Sequence, residues 1–129
     1  MVATDRRRAL GARGEQAVAV WYRDAGYELL AANWRCSEGE IDLVLESPVG
    51  DLVVFCEVKS RTSSRFGTGF DAVTVAKQRR LRRLAARWLA ERRSTAPKWR
   101  GTREVRFDVA AVIPEQGGGM RVEVLEGAF

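Results

Sequence analysis

The sequence predicts one α/β domain, more narrowly an α+β fold in which helices pack on a mixed sheet. Two segments repeat apolar residues at helical spacing, five show the alternation or short apolar runs of strands, and turn-forming residues separate them. The resulting order, α-β-β-β-α-β-β, is typical of a mixed sheet with packed helices. A chain of 129 residues that is 46% hydrophobic is sufficient for one core.

The first element is an amphipathic helix, expected over residues 5–25 and ended by Gly26. Its apolar or small residues recur every three or four positions and are Leu10, Gly14, Ala17, Val18, Trp21, Tyr22 and Ala25. Glu15 falls on the margin of this stripe, beside Val18 and Tyr22. The pattern leaves two readings open, a carboxylate at the edge of the core or a solvated flanking residue.

Three strands follow the helix. Residues 27–35 form the first, and residues 40–46 alternate with Ile41, Leu43 and Leu45 on one face and Asp42 on the other. The turn-like residues 47–51 lead into a third strand over residues 52–59. The second and third strands are therefore predicted to form a hairpin.

A polar, glycine-rich loop is expected over residues 60–71, followed by a long helix capped by Asp71 and running to about Arg93. Pro97 prevents its continuation. The predicted inward stripe is Val73, Leu81, Leu84, Ala85, Trp88 and Leu89, with Lys77 one turn before Leu81. Residues 104–113 and 120–125 complete the sheet as two strands joined by a turn.

Several classes of protein are excluded by composition. Histidine is absent, which removes Ser-His-Asp and Cys-His triads, His-containing zinc sites and histidine bases. Two cysteines, Cys36 and Cys56, are too few for a disulfide framework or a zinc site, and we expect both to be core or near-core thiols in a reducing cytoplasm. No membrane span or signal peptide is expected. A cytoplasmic protein is predicted, whose chemistry depends on carboxylates, lysines, hydroxyls or thiols.

The positive charge is concentrated in one segment. Residues 77–93 carry eight basic residues and one acidic residue, a net charge of +7 in a chain whose total is +5. This skew argues against neutralisation by ion pairs along the helix and favours phosphate contacts, although a merely solvated face is the alternative. The predicted nucleic-acid-binding residues are Arg79, Arg80, Arg83 and Arg87 on the helix and Arg61, Arg65 and Phe66 in the loop, unless that loop is simply flexible.

A candidate catalytic site lies at the end of the third strand, where apolar residues give way to Glu57 and Lys59. These two side chains share a face, and the hairpin register makes Asp42 a cross-strand neighbour of Glu57. Adjacent carboxylates repel unless a proton or a cation lies between them, and Mg²⁺ or Mn²⁺ with two carboxylate ligands resolves the repulsion. Lys59 would orient or deprotonate the metal-bound water. The alternative is a set of ordinary surface ion pairs, worth about 0 to 1 kcal/mol each.

These residues resemble a known family. The segments GEID (39–42), FCEVKSR (55–61), FG (66–67) and RFD (106–108), with the helical Lys77, are similar to the bacterial YraN family. That family is similar in turn to the PD-(D/E)XK nucleases and the archaeal Holliday junction resolvases, although Ile41 replaces the proline of that name. The resemblance implies a restriction-endonuclease-like αβββαβ core, with Asp42 and Glu57 as metal ligands and Lys59 as the catalytic lysine. It also implies Glu15 as an accessory metal-binding acid and Lys77 as a helical lysine facing the site.

The predicted function is that of a metal-dependent endonuclease which hydrolyses DNA phosphodiester bonds, with branched or structured DNA among its candidate substrates. Residues 1–129 would form a single nuclease-like domain, and symmetric cutting of a junction would call for a homodimer. The first alternative is a non-catalytic nucleic-acid-binding module with the same fold. A second is a basic protein that docks on RNA, which gives Asp42 and Glu57 no role.

Overall fold

Helical and strand periodicity produce eight elements in the described part of the chain. The structure, a computed structural model, describes residues 2–61, 73–99, 101 and 103–129, with side chains from residue 11 onward. The elements are α1 (Val2–Asp24), β1 (Glu28–Cys36), β2 (Gly39–Glu46), β3 (Leu52–Ser60), α2 (Val75–Thr95), a 3₁₀ turn (Pro97–Trp99), β4 (Glu104–Pro114) and β5 (Met120–Leu125). The predicted order is confirmed, and the strand ends lie within one residue of those expected.

The five strands form one mixed sheet in the order β1-β2-β3-β4-β5. All neighbouring pairs are antiparallel except β3 and β4, which are parallel and are connected through α2. This is a single α+β domain, consistent with a restriction-endonuclease-like core. None of the helices in the described ranges is long and apolar enough to cross a membrane.

Each helix covers its own apolar cluster on the sheet. The cluster beneath α1 contains Val18, Tyr22, Leu43, Leu45, Val54, Cys56, Ala110 and Val112. The cluster beneath α2 contains Ile41, Val44, Val53, Phe55, Leu81, Leu84, Ala85, Trp88, Leu89, Trp99 and Phe107. The predicted stripe of α2 is therefore buried from Leu81 to Leu89. Strand alternation explains the division, since successive residues of β3 enter opposite clusters.

The prediction that Ile41 shares a face with Leu43 and Leu45 is wrong. Ile41 belongs to the cluster beneath α2, whereas Leu43 and Leu45 belong to the cluster beneath α1. The paired register of β2 with β3 ends at Leu43 and Cys56. Beyond that point the ladder between these strands no longer fixes the orientation of β2, so simple alternation fails.

The predicted cap of the long helix is also wrong. The helix begins at Val75 and is capped by Thr74, whose hydroxyl accepts the Lys77 backbone N–H at 3.1 Å. Asp71 lies outside the described residues, and Val73 packs on the core just before the helix. Both Asp and Thr are good cap residues, so sequence preference alone did not choose between them.

A buried carboxylate ties α1 to the sheet. Asp108 is 1% exposed and accepts the Tyr22 hydroxyl at 2.6 Å, two guanidinium N–H groups of Arg106 at 2.8 and 2.9 Å, and the Gly127 N–H at 3.0 Å. Burial raises the pKa of the Tyr22 phenol, which therefore stays a hydrogen-bond donor. Because Glu15 lies about two helical turns before Tyr22, this network also fixes the position of Glu15.

We expect Asp108→Asn to lower the free energy of unfolding by about 2 kcal/mol or more, because it removes the charge that Arg106 and Tyr22 share. Urea denaturation followed by far-UV circular dichroism measures the change. The matched control is Glu126→Gln, which removes an exposed partner of the same arginine, 3.6 Å away, and should cost less than about 0.5 kcal/mol. Equal losses in the two variants would contradict this account of the network.

Candidate active site

The candidate site lies where β2 and β3 separate. Asp42 and Glu57 are the next residues after the last paired positions of the two strands. The Oδ2 atom of Asp42 accepts the backbone N–H of Val58 at 2.8 Å, so a side chain replaces the missing strand partner. Asp42 and Glu57 line one cavity of about 270 Å³, together with Lys77 and Arg80. The structure thus brings together the two carboxylates that the hairpin register predicted to be neighbours.

The carboxylate of Asp42 is electrostatically strained. Burial and then the charge of Glu57 raise its pKa from 3.8 to about 7, with smaller contributions from Glu15 and Glu40. The Val58 N–H opposes this shift because it stabilises the ionised form. Near neutral pH Asp42 is therefore divided between its protonated and ionised forms, and a cation in the cavity would favour the ionised form.

Glu57 has a cation beside it already. The Nζ atom of Lys77 lies 2.6 Å from the Oε1 atom of Glu57, and their side chains are only 32% and 15% exposed. Lys77 sits in the first turn of α2, with its N–H bound to Thr74. The inward orientation predicted for Lys77 is confirmed, and the ammonium is paired with a carboxylate rather than directed into solvent along an apolar surface.

Glu15 borders a second cavity on the α1 side, of about 660 Å³, which it shares with Asn33, Arg35 and Glu40. Burial raises the pKa of Glu15, and a hydrogen bond with the Asn33 side chain lowers it. Glu15 also contributes to the raised pKa of Asp42. The predicted accessory acid is therefore next to the candidate site, on the other side of Glu40.

Asn33 is a residue of this region that sequence reasoning missed. It has φ 53°, a left-handed conformation that is unusual inside a strand. Asparagine tolerates this conformation better than other non-glycine residues, and its amide interacts with Glu15. An asparagine within the otherwise apolar stretch of residues 29–34 was the available signal.

The ligand chemistry of the cavity suits a hard divalent ion. Within the described ranges, no group of three or more acidic residues or cysteines is arranged to hold a metal. Asp42 and Glu57 therefore supply two carboxylates and no nitrogen or sulfur ligand. Mg²⁺ is commonly held by one or two carboxylates, with water and substrate phosphate completing its shell. Burial and the Glu57 charge raise the pKa of Asp42, so a cation beside it would favour the ionised form, and the two carboxylates are compatible with the predicted ion.

Two of the remaining predicted residues, Lys59 and Arg61, lie at or just after the end of β3. Lys59 is half-buried, pairs in register with Ala111, and by strand alternation lies on the same side of the sheet as Glu57. The Arg61 N–H donates to the Val112 carbonyl at 2.8 Å. Arg65 and Phe66, predicted to contact nucleic acid, lie outside the described residues.

The arginines of α2 that were predicted to bind nucleic acid differ in their partners. Arg79 and Arg80 are exposed, and Arg80 lines the cavity with Asp42 and Glu57. Arg83 and Arg87 each lie 3.7 Å from Glu38, in the turn between β1 and β2, and Arg87 is also 3.8 Å from Glu91. The charge skew along the helix argued against ion pairing, yet Arg83 and Arg87 pair with Glu38, because a count along one segment omits acids brought by another element.

Two further arginines of this helix pack on aromatic rings. Arg82 lies 4.9 Å from the centroid of Phe107, and Arg92 lies 5.1 Å from that of Trp99. Cation–π contacts of this kind stabilise the fold. Some of the eight basic residues of α2 therefore contact aromatic rings of this protein and are not directed at a nucleic acid.

Asp42→Asn should make stability less dependent on pH. The native protein holds a proton on Asp42 between about pH 4 and 7 that the unfolded chain has already released, so its stability falls as pH rises through this window. Asparagine cannot ionise and still accepts the Val58 N–H. We subtract the unfolding free energy of the unaltered protein from that of the variant, both measured in EDTA-containing buffer. This difference should be about 2 kcal/mol larger at pH 8 than at pH 5. Urea denaturation at both pH values measures this, with the exposed Asp24→Asn as control. A constant difference would refute the raised pKa.

Comparison with known proteins places this site within one family. A model of the uncharacterised protein family UPF0102 matches residues 14–112, which include Glu15, Asp42, Glu57 and Lys77. A UPF0102 protein of Beutenbergia cavernae is 49% identical over 119 residues, covering 92% of this chain and 94% of that protein. UPF0102 proteins of Frankia casuarinae and Symbiobacterium thermophilum are 46% and 43% identical and cover 94% and 95% of this chain. The chain therefore belongs to the uncharacterised protein family UPF0102, which is the YraN family indicated by its motifs.

Proposed function

We propose that this protein is a metal-dependent endonuclease that hydrolyses phosphodiester bonds of DNA. The observation that carries the proposal is the convergence of Asp42 and Glu57 in one cavity, where the pKa of Asp42 rises to about 7. Two carboxylates held this way are costly to fold unless a cation compensates them. Cationic groups stand beside them, Lys77 on one carboxylate and Arg80 at the cavity wall.

Each residue has a distinct role in this proposal. Asp42 and Glu57 would hold Mg²⁺ or Mn²⁺, and the chemistry that such an ion would supply is a lowered pKa of water, which gives a nucleophile at neutral pH. Lys59 orients that water or balances charge on the phosphate. Glu15 adds negative potential from the neighbouring cavity and is the accessory acid. With no histidine in the chain, proton transfer depends on these carboxylates and lysines.

The exposed arginines of α2 supply affinity for the DNA backbone. Arg79 and Arg80 are available to phosphate at once, and Arg80 is positioned to hold a phosphate next to the two carboxylates. Arg83 and Arg87 are weakly paired with Glu38 at 3.7 Å and can exchange that partner for phosphate. Branched or structured DNA belongs to the proposed substrate range, and symmetric cutting of a junction requires two copies of the chain.

A second candidate function is a nucleic-acid-binding module without catalysis. The observation that favours it is the short ion pair between Lys77 and Glu57, which already neutralises one of the two acids. A proton on Asp42 would neutralise the other. In such a module the arginines bind the backbone, and no divalent ion enters the cavity.

Glu57→Gln and Lys59→Ala should abolish Mg²⁺- or Mn²⁺-dependent cutting while leaving DNA affinity within about twofold. Glu57→Gln removes a proposed metal ligand, Lys59→Ala removes the group proposed to orient the water or balance the phosphate charge, and neither residue lies on the arginine surface. The measurement combines gel-resolved cleavage with fluorescence anisotropy on duplex, single-stranded and four-way-junction DNA. Glu104→Gln, an exposed acid at the start of β4, is the matched control and should cut normally.

Cutting by both variants at the unaltered rate would eliminate the site. A different result would support the binding module: no cutting of any substrate by the unaltered protein, together with metal-independent and strongly salt-sensitive binding.

Arg79→Ala and Arg80→Ala should each weaken DNA binding. For either variant the loss should be about the same whatever the DNA sequence. Each lost phosphate contact should reduce the slope of log affinity against log salt concentration by about 1. Anisotropy titrations between low and moderate salt measure the slope. Arg121 lies on β5, an edge strand of the sheet, and not on α2. Arg121→Ala is therefore the control and should leave the slope unchanged. An unchanged slope for Arg80→Ala would remove this arginine from the proposed DNA surface.

A further inference from the structure

The ion pair of Lys77 with Glu57 differs from the surface pairs of α2. The Nζ–Oε1 distance is 2.6 Å, and the Glu57 side chain is only 15% exposed. By comparison, Arg83 lies 3.7 Å from Glu38, and both side chains are about half exposed. A short pair that is shielded from water is stronger than an exposed one, because solvent screens it less.

The same carboxylate is the proposed ligand of a divalent ion. An ammonium at 2.6 Å occupies a lone-pair direction of the Oε1 atom. A magnesium ion would need to approach a carboxylate oxygen to about 2.1 Å, and two cations that close repel strongly in a cavity of this size. Lys77 and the metal therefore compete for Glu57.

We propose that Lys77 is an exchangeable counter-ion that sets the affinity of the site for divalent ions. This inference rests on the proposed function, since it concerns the same two carboxylates. Lys77 neutralises Glu57 when no metal is bound and leaves Glu57 when a divalent ion enters. The displaced ammonium remains in the cavity and binds the phosphate of the substrate, because it is no longer paired with Glu57.

The geometry allows this exchange through a side-chain movement alone. Lys77 is fixed by its backbone in the first turn of α2, where its N–H bonds to the capping Thr74. Its four-carbon stem reorients the ammonium without moving the helix. Phosphate then offers the released ammonium an anionic partner in place of Glu57. Metal binding and phosphate binding are therefore coupled, and each raises the affinity for the other.

Arg80 provides a matched control for charge. It lies about one turn after Lys77 and lines the same cavity, but it makes no ion pair within the described part of the chain. Removing Arg80 reduces the positive potential of the cavity without releasing Glu57. Any difference between variants at the two positions reports the direct contact with Glu57.

The experiment is isothermal titration of Mn²⁺ into the full chain at pH 8 without DNA. Lys77→Met should bind Mn²⁺ about tenfold more tightly than the unaltered protein, since the metal no longer displaces a cation. Lys77→Gln should show the same gain through a second side chain, and Lys77→Arg should stay within about twofold because it retains the positive charge. Arg80→Met should gain less than about threefold.

Addition of an uncleavable phosphorothioate DNA should tighten Mn²⁺ binding to the unaltered protein more than to Lys77→Met.

Each result has a definite meaning. If the unaltered protein binds Mn²⁺ and the Lys77 variants bind no more tightly than Arg80→Met, the counter-ion role is wrong while the proposed nuclease site stands. If neither the unaltered protein nor any variant binds Mn²⁺, both the counter-ion role and the metal-dependent function are wrong.

Discussion

The hydrogen bond from the Val58 N–H to the Asp42 carboxylate is the interaction on which the candidate site depends. The ladder between β2 and β3 ends at Leu43 and Cys56, and this bond takes over at the next step. It satisfies a backbone donor that would otherwise lack its strand partner. It also holds Asp42 over the opening between the strands, where Glu57 lies on the same cavity. The end of the β2–β3 hairpin therefore carries two converging acids at the edge of the core.

Each acid near this opening has its own compensation. Asp42 has the Val58 N–H and a pKa that permits a proton, Glu57 has Lys77 at 2.6 Å, and Glu15 has the amide of Asn33. Each of these acids thus has a compensating group without a metal, and in the proposed function a divalent ion would displace a proton and an ammonium to enter. The proposed nuclease and the binding module use the same residues. They differ in whether a divalent ion wins this competition for the carboxylates. The outcome depends on the affinity of the ion relative to the groups that it displaces.

The basic helix illustrates why charge must be assigned residue by residue. Arg82 and Arg92 lie over aromatic rings, and Lys77 is paired with Glu57. Arg79 and Arg80 are exposed and make no ion pair within the described residues, so fewer unpaired cations face solvent than the total charge implies. The surface that remains lies beside the carboxylate cavity, since Arg80 lines it. The exposed arginines that are proposed to bind a polyanion and the two candidate carboxylates therefore lie at the same end of α2.

The sequence by itself determined the order of the elements, the burial of the α2 stripe from Leu81 to Leu89, and the proximity of Asp42 to Glu57. Periodicity and a short turn carry that information, because they relate residues through their separation along the chain. Only the tertiary structure decided the contacts between distant elements. These are Glu38 beside Arg83 and Arg87, Tyr22 on Asp108, and the left-handed Asn33 next to Glu15. Such contacts depend on how helices dock on the sheet, a packing geometry that local propensity does not encode.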